Sequence, residues 1–183
     1  VAVVVCEPEP DRALAVSPLL RFLDERRIPH MVFINKLDTA HDRVRDVLSA
    51  LQAVSERPLV LRQVPIRDGE TVTGYVDLIR ERAYRHQSGQ GSALVALPGE
   101  MRAAGQPARQ ELLETLADFD DKLLEQLLED TELPKQDIYQ YLAKTFHADN
   151  VVPAPIGAGE RDHGVRRLLK ALRHDTPDVA ATR

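Results

Sequence analysis

The chain has few of the features that would place it outside the cell, in a membrane or on nucleic acid. Its 183 residues include a single cysteine, so no internal disulfide can form. The formal net charge of −5 disfavours a groove for nucleic acid or a polybasic membrane patch, and we expect no sequence-specific nucleic-acid contact. No apolar run is long enough to cross a bilayer, and no signal peptide is recognisable. These absences predict a cytoplasmic protein that does not bind membranes.

Catalytic and metal-binding patterns are also missing. The six histidines are scattered, and no pair of them has the spacing of metal ligands. No Ser/His/Asp or Cys/His set can be nominated from the sequence. The one cysteine, Cys6, lies in an apolar run and is expected to be buried without a chemical role. We therefore predict neither a catalytic residue nor a metal ligand in this chain.

The first third of the chain indicates a parallel sheet. Residues 1–6 are rich in β-branched side chains, as in a central strand covered on both faces. Ser17 is expected to cap a helix whose first residue is Pro18. A second strand is expected from Met31, and a second helix over residues 39–55. The alternation of strands and helices predicts an α/β fold with right-handed crossovers. Since domains seldom begin inside their sheet, we expect the chain to be a fragment.

The pattern changes at Pro58 and returns near residue 150. The middle segment suits an antiparallel sheet followed by helices, so we predict an inserted α+β subdomain over residues 58–149. Its expected elements are strands at 59–66, 71–79 and 93–97 and amphipathic helices at 107–130 and 134–147. The flanking segments, 1–57 and 150–175, would form the α/β domain, and residues 176–183 a tail.

A third apolar strand is predicted at residues 150–156. Pro153 and Pro155 favour an edge position for it, because proline cannot donate to a strand ladder. The strand ends in Gly157, Ala158 and Gly159, where bare backbone N–H groups could approach a ligand closely.

The second strand leads into the tetrapeptide Asn35-Lys36-Leu37-Asp38, whose chemistry suits guanine. A carboxylate at the end of a buried strand can accept both the N1–H and the exocyclic amine of guanine, whereas adenine presents a lone pair there. Asn35 could brace the neighbouring loop and reach the base, and the stem of Lys36 could lie along the purine face. The alternative is a strand-to-helix loop in which Asp38 or Thr39 only caps the helix.

Several segments resemble the guanine-nucleotide-binding domain of elongation factor G and its close paralogues. They are residues 33–38, 64–66, 74–78, 157–159 and 163–165, followed by Leu168, Leu169 and Leu172. The resemblance implies that residues 1–57 and 150–175 form a partial GTP-binding domain, with a three-layer, P-loop-GTPase-like parallel sheet that retains three strands. It also implies guanine contacts from Asn35, Lys36, Asp38, Gly157, Ala158 and Gly159. The last two depart from the family's Ser-Ala pattern, which removes a side-chain hydrogen bond.

Such a domain would belong to a translational GTPase that binds GTP or GDP with Mg²⁺ and acts on the ribosome in a translocation-type role. The 183 residues contain no G-x-x-x-x-G-K-[ST] phosphate loop and no Asp-x-x-Gly switch. We therefore expect this chain neither to hydrolyse GTP nor to bind it tightly. Two alternatives are a ribosome-protection paralogue and a hydrolysis-deficient module that binds the ribosome.

Two surfaces are candidates for protein partners. Residues 111–132 carry nine carboxylates and one lysine, Lys122, which suits either a solvated acidic face or a docking surface for a basic partner. The resemblance implies the ribosomal stalk protein as that partner. It also implies that the strand at residues 1–6 has a neighbour outside this chain, so we expect its free apolar edge to pair two copies into a dimer.

Overall fold

The computed structural model describes residues 1–41, 43–87 and 90–176, in which eight strands and seven α-helices are found. The strands are β1 (Ala2–Cys6), β2 (His30–Ile34), β3 (Leu59–Leu61), β4 (Gln63–Asp68), β5 (Thr71–Asp77), β6 (Arg82–Gln87), β7 (Gln90–Val95) and β8 (Val152–Ala154). The helices are α1 (Pro10–Ala13), α2 (Ser17–Glu25), α3 (Val44–Gln52), α4 (Gly99–Ala117), α5 (Asp121–Leu128), α6 (Lys135–His147) and α7 (Val165–His174). None of these helices is long and apolar enough to cross a membrane. Apart from Thr176, the predicted tail lies outside the described residues.

Four parallel strands form the sheet that carries the candidate site. β1 pairs with β2, and β3 pairs with β8. A single bridge between Ile34 and Ile156 joins the two pairs, which gives the order β1-β2-β8-β3. The α/β prediction is confirmed, but the sheet has four strands where three were expected. The predicted strand at 59–66 breaks at Arg62, because its first half pairs with β8 and its second half, β4, pairs with β5.

β8 lies inside this sheet, so the expectation of an edge strand is wrong. The carbonyl of Pro155 accepts a hydrogen bond from the Ile34 N–H at 3.0 Å, on the side of β2. On the side of β3, the Val152 N–H donates to the carbonyl of Pro58 at 2.9 Å. Because Pro153 and Pro155 have no N–H to donate, β2 and β8 share one bridge rather than a full ladder.

The helices that follow β1 and β2 begin at other residues than predicted. Residues 10–16 already form helical turns, so the chain enters α2 without a break and Ser17 is a helical residue rather than a cap. α3 begins at Val44 instead of residue 39, since Leu37–Thr39 forms a separate 3-10 turn. Both helices pack on one face of the parallel sheet, and their fully buried side chains include Leu20, Val47 and Leu51.

The inserted segment contains the predicted antiparallel sheet, in the order β4-β5-β6-β7. Gly74 allows β5 and β6 to approach, since a Cβ at this position would lie 2.1 Å from the carbonyl oxygen of Tyr84. The helices α4, α5 and α6 cover the second face of the parallel sheet, in a core that includes Met31, Val60, Leu116, Ile138, Phe146 and Val151. The domain boundaries at 58 and 149 stay a prediction, and β3 at the start of that segment belongs to the parallel sheet.

β1 is covered on one face only, contrary to the prediction. Val4 and Cys6 are buried, whereas the side chain of Val5 is 56% exposed. Within the described residues β1 pairs with β2 alone, so its other edge is open.

The predicted helix at 107–130 is in fact two helices. α4 begins earlier, at Gly99, and contains Pro107. It ends at Ala117, and α5 begins after Asp120, whose carboxylate accepts a hydrogen bond from the Leu123 N–H at 3.3 Å. This N-cap starts a new helix within the acidic segment. The acidic residues therefore lie on the end of α4, on α5 and on the loops before and after α5.

Arg57 ties the loop before β3 to two other segments. Its guanidinium bonds to the buried carboxylate of Asp24 at the end of α2 and lies 2.6 Å from Oδ2 of Asp149, which precedes β8. Its Nε also donates to the Asp149 carbonyl at 2.5 Å. Burial raises the pKa of Asp149, and the Arg57 charge opposes that shift. This ion cluster fixes the entries to the two strands β3 and β8.

Candidate functional site

The carboxyl ends of β2 and β8 meet at one edge of the parallel sheet. The Gly157 N–H donates to the Ile34 carbonyl at 2.9 Å, and the Leu37 N–H donates to the Gly157 carbonyl at 3.0 Å. The loop after β2, residues 35–38, is therefore bonded directly to the loop after β8, residues 157–159. In open α/β sheets, ligands bind at this edge.

Asn35 connects the two loops through its side chain. Its Oδ1 accepts a hydrogen bond from the Gly159 N–H at 2.8 Å, and its own backbone N–H donates to the Cys6 carbonyl at 2.9 Å. A Cβ at position 159 would lie 3.4 Å from that Oδ1, so the contact is already close. The residue braces the neighbouring loop.

Lys36 occupies the left-handed region of the backbone, with φ of 58°. Its ammonium donates to Oε1 of Glu7 at 2.5 Å, across the end of β1. This contact raises the pKa of Lys36 and lowers the pKa of Glu7. The Thr39 hydroxyl donates to the Lys36 carbonyl at 3.0 Å, so Thr39 stabilises the turn locally.

Neither Asp38 nor Thr39 caps the following helix. α3 begins at Val44 with Arg43 in the N-cap position, and no side chain caps it. The capping alternative for this tetrapeptide is therefore wrong, because the 3-10 turn separates the loop from the helix.

Asp38 faces the loop after β8 but has a partner there. Its Oδ2 lies 2.9 Å from Nε of Arg161, with the aspartate side chain 16% exposed and the arginine side chain 64% exposed. A guanidinium presents adjacent N–H donors, as does the N1–H and amine edge of guanine. The cavity lined by Asp38, Gly157 and Ala158 has a volume of only about 10 Å³, which is room for about one water molecule.

The loop after β8 is tightly folded. A Cβ on Gly157 would lie 2.3 Å from the His163 carbonyl oxygen and 2.7 Å from the ring of Phe33. The Ala158 N–H donates to the His163 carbonyl at 2.9 Å, and the His163 N–H donates to the Ala158 carbonyl at 3.1 Å. The N–H groups of Gly157 and Gly159 are also hydrogen-bonded, as described above. Each of the three N–H groups of this loop therefore already has an acceptor.

A pair of stacked histidines packs beside the loop. The rings of His86 on β6 and His163 are 4.0 Å apart and nearly parallel. Burial, followed by the proximity of His163, lowers the pKa of His86 to about 4. Burial also lowers the pKa of His163. Both rings are therefore neutral at pH 7, and they connect the antiparallel sheet to the loop after β8.

The residues brought together here could hold the base of a guanine nucleotide, since they combine a carboxylate, an amide and backbone donors. The 183 residues contain no G-x-x-x-x-G-K-[ST] phosphate loop. The described residues also contain no cluster of three or more His, Cys, Asp or Glu side chains that could hold a metal ion.

Sequence reasoning missed four residues at this site. Arg161, Glu7, His86 and His163 contact the predicted residues or pack beside their loops. Arg161 could have been noticed as a cation two positions after the glycine loop. Glu7 could have been noticed as an acid directly after β1. The two histidines are far apart in the sequence, so no local pattern could pair them.

Comparison with known proteins decides the family. The chain is 49% identical, over 99% of its length, to an elongation factor G-like protein of Synechocystis. It is 30% identical over 86% of its length to elongation factor G of Rhodopirellula baltica, and 32% identical over 86% to the mitochondrial elongation factor G of Drosophila ananassae. The chain belongs to the family of elongation factor G and elongation factor G-like proteins. No protein-family model matches the sequence.

The elongation factor G relatives are much longer than this chain. It spans 27%, 23% and 22% of their respective lengths, so it corresponds to about a quarter of each. A crystal structure of a Thermus thermophilus protein superposes with a TM-score of 0.75 at 26% identity, over 96% of this chain and 26% of that one. The resemblance to elongation factor G inferred from the motifs is therefore confirmed.

Proposed function

We propose that this chain supplies the guanine-recognition part of a cytoplasmic translational GTPase of the elongation factor G type, which binds GTP or GDP with Mg²⁺ and acts on the ribosome in a translocation-type role. The observation that carries the proposal is the position of Asp38. It lies in the loop after β2 and faces the loop after β8, and the two loops are hydrogen-bonded to each other. The relatives are named elongation factor G and elongation factor G-like protein, which supports the same class of function.

In this proposal Asp38 accepts the N1–H and the exocyclic amine of guanine, and Asn35 keeps the two loops together. The Lys36 stem lies along the base while its ammonium stays with Glu7. The guanine carbonyl shares the exposed Gly159 N–H with Asn35, because Gly157 and Ala158 are buried and their N–H groups donate to backbone carbonyls. Arg161 leaves the carboxylate when the base arrives.

The chain holds the base and not the phosphates, so its affinity for nucleotides is expected to be low. We expect no GTP hydrolysis and a dissociation constant for GTP weaker than micromolar, measured by calorimetry. A micromolar or tighter constant, or turnover by the purified chain, would show that phosphate contacts exist within these residues.

The base-reading role is tested by saturation-transfer-difference NMR on the purified chain. With GTP, the H8 proton of guanine should receive saturation from the protein, and excess GMP should compete the signal away. ATP at the same concentration should give a much weaker signal, since adenine leaves the Asp38 carboxylate facing a lone pair. Equal signals from the two nucleotides would reject guanine recognition.

A second candidate function is that of a ribosome-binding module without hydrolysis, and the surface of α5 favours it. Leu128 is 79% exposed, and Phe119 and Leu124 are also exposed, among the carboxylates of residues 111–132. Exposed apolar side chains within an acidic surface suit a partner with both basic and apolar residues. We propose the ribosomal stalk protein as this partner.

The stalk-protein proposal is tested by binding of purified stalk protein to the chain. Reversing one charge on α5, with Glu125→Lys, and one directly after it, with Glu129→Lys, should weaken binding at least tenfold and reduce its salt dependence. The matched control reverses Glu25 and Glu56, which are exposed outside residues 111–132. Equal losses in both double variants would show a general charge effect and remove this surface from consideration.

The open edge of β1 supports one more proposal, a dimer of this chain through residues 1–6. Val1 and Val5 are exposed beside an edge that has no partner strand in the described ranges. Sedimentation velocity over a range of concentrations should show a dimer that Val5→Lys abolishes. A monomer at every concentration would contradict this pairing.

A further inference from the structure

A second cavity, of about 440 Å³, lies away from the guanine loops, between α6, α7 and the junction of β4 with β5. Its size falls within the range of small-molecule sites in proteins, about 300 to 1,000 Å³. The residues assigned to guanine do not line it. It is therefore a separate site from the one described above.

The helix faces that line this cavity are polar where a packed helix would be apolar. α6 contributes Gln136, Tyr139, Gln140 and Ala143, and α7 contributes Arg167, Lys170, Ala171 and His174. Both sets follow the i, i+3, i+4, i+7 spacing of a helix face that meets a neighbour. Side chains with N–H donors at such positions indicate that the cavity receives hydrogen-bond acceptors.

Charge in the cavity is positive, although the whole chain carries −5. Four cationic side chains, of Arg62, Arg80, Arg167 and Lys170, line it together with two carboxylates. Both carboxylates are already engaged. Asp77 lies 3.0 Å from Arg167, and Asp175 is bonded to Arg62.

Arg80 and Lys170 carry the unbalanced charge. Within the described residues no carboxylate oxygen lies within 4 Å of the charged nitrogens of either side chain. The Arg80 Nε donates to the hydroxyl of Tyr139 at 3.1 Å, and its guanidinium lies over that ring at 5.8 Å. The guanidinium of Arg62 is also 5.7 Å from the ring centre, so Tyr139 holds two arginines at the cavity.

We propose that this cavity binds a small phosphate-bearing molecule. Arginine guanidinium groups match the geometry of phosphate oxygens, and lysine adds a point charge. The glutamine amides of α6 supply further donors for the rest of the ligand. The guanine loops do not line this cavity, so binding there does not depend on the proposed function.

The experiment measures binding of pyrophosphate and of glucose 6-phosphate to the purified chain, by ¹⁵N NMR titration at low ionic strength. At least one of them should bind saturably and shift amides of α6 and α7 rather than those of residues 157–159. Arg80→Gln and Lys170→Gln should each lower the affinity about tenfold, the loss expected for one charge-assisted hydrogen bond. The exposed Arg82, which does not line the cavity, provides the charge-matched control Arg82→Gln.

The proposal is overturned if neither probe binds saturably, or if Arg82→Gln lowers the affinity as much as Arg80→Gln does. Lys170 is exposed, so Lys170→Gln should not disturb packing. A loss of affinity in this variant therefore cannot come from a folding defect. An affinity that is unchanged in both single variants, Lys170→Gln and Arg80→Gln, would also reject the site.

Discussion

Replacing Arg161 with glutamine should increase the affinity of the chain for guanine nucleotides. In the structure the Arg161 guanidinium occupies the carboxylate that guanine needs, at 2.9 Å from Asp38. The arginine is 64% exposed, so the ion pair is largely screened and contributes about 0.2–1 kcal/mol. Removing this competitor should therefore tighten GMP binding by a factor of about 1.4 to 5.

The assay is a ¹⁵N NMR titration with GMP, read at the amides of residues 36–38 and 157–160. Arg166→Gln is the matched control, since Arg166 is also 64% exposed and pairs with an acid, Asp162, at 3.3 Å. It removes the same charge near the site without freeing Asp38, so it isolates the effect of long-range attraction to phosphate. If Arg161→Gln weakens binding more than Arg166→Gln does, the guanidinium contacts the nucleotide and the reasoning is refuted.

Three further changes test the packing of the sheet and of the loops at the site. Arg57→Ala should lower the free energy of unfolding by about 3–5 kcal/mol in urea denaturation, because it leaves the carboxylates of Asp24 and Asp149 without their cation. Gly157→Ala should lower it by about 1–3 kcal/mol, since the new Cβ would meet a backbone carbonyl at 2.3 Å. His86 has a folded-state pKa of about 4, below its ordinary 6.5, so its contribution to stability is complete above pH 6.5 and is lost as the pH falls toward 4. The stability difference between the wild type and His86→Gln should therefore shift against the wild type between pH 7 and pH 4.5.

The arginine and glycine substitutions each have a control in the same chain. Arg21→Ala, at an exposed position of α2, should change stability by less than about 0.5 kcal/mol. Gly99→Ala, where no atom lies within 4 Å of the new Cβ, should be neutral or stabilising. A loss below about 1 kcal/mol for Arg57→Ala would show that the ion cluster is not important, and a pH-independent difference for His86→Gln would contradict the burial of that ring.

The sequence predicted the elements whose signals are local. The apolar runs and helical spacing located β1, β2, α2 and the antiparallel sheet, because burial on one or two faces leaves a periodic pattern. The breaks were harder to predict. Asp120 caps a new helix within what looked like one amphipathic stretch, and the chain changes sheets at Arg62 without a glycine or a turn signal. Both depend on which neighbour a segment finds in three dimensions.

The same limit applies to the site. The tetrapeptide ending in Asp38 could be recognised because its four residues are consecutive, and its position after β2 follows from the strand pattern. The pairing of Asp38 with Arg161 and the stacking of His86 on His163 join residues that are distant in the sequence. Such contacts follow from the meeting of β2, β6 and β8 loops, which no single window of the sequence contains.

The central claim, that Asp38 reads guanine, is tested most directly by comparing GMP with IMP, which lacks only the exocyclic amine. In the wild type, the dissociation constant for IMP should be about tenfold larger than that for GMP, because one hydrogen bond to a carboxylate is lost. In Asp38→Asn the side-chain NH₂ would face the exocyclic amine of GMP, donor against donor, so this preference for GMP should disappear or reverse. A preference for GMP that is the same in both proteins would contradict the account.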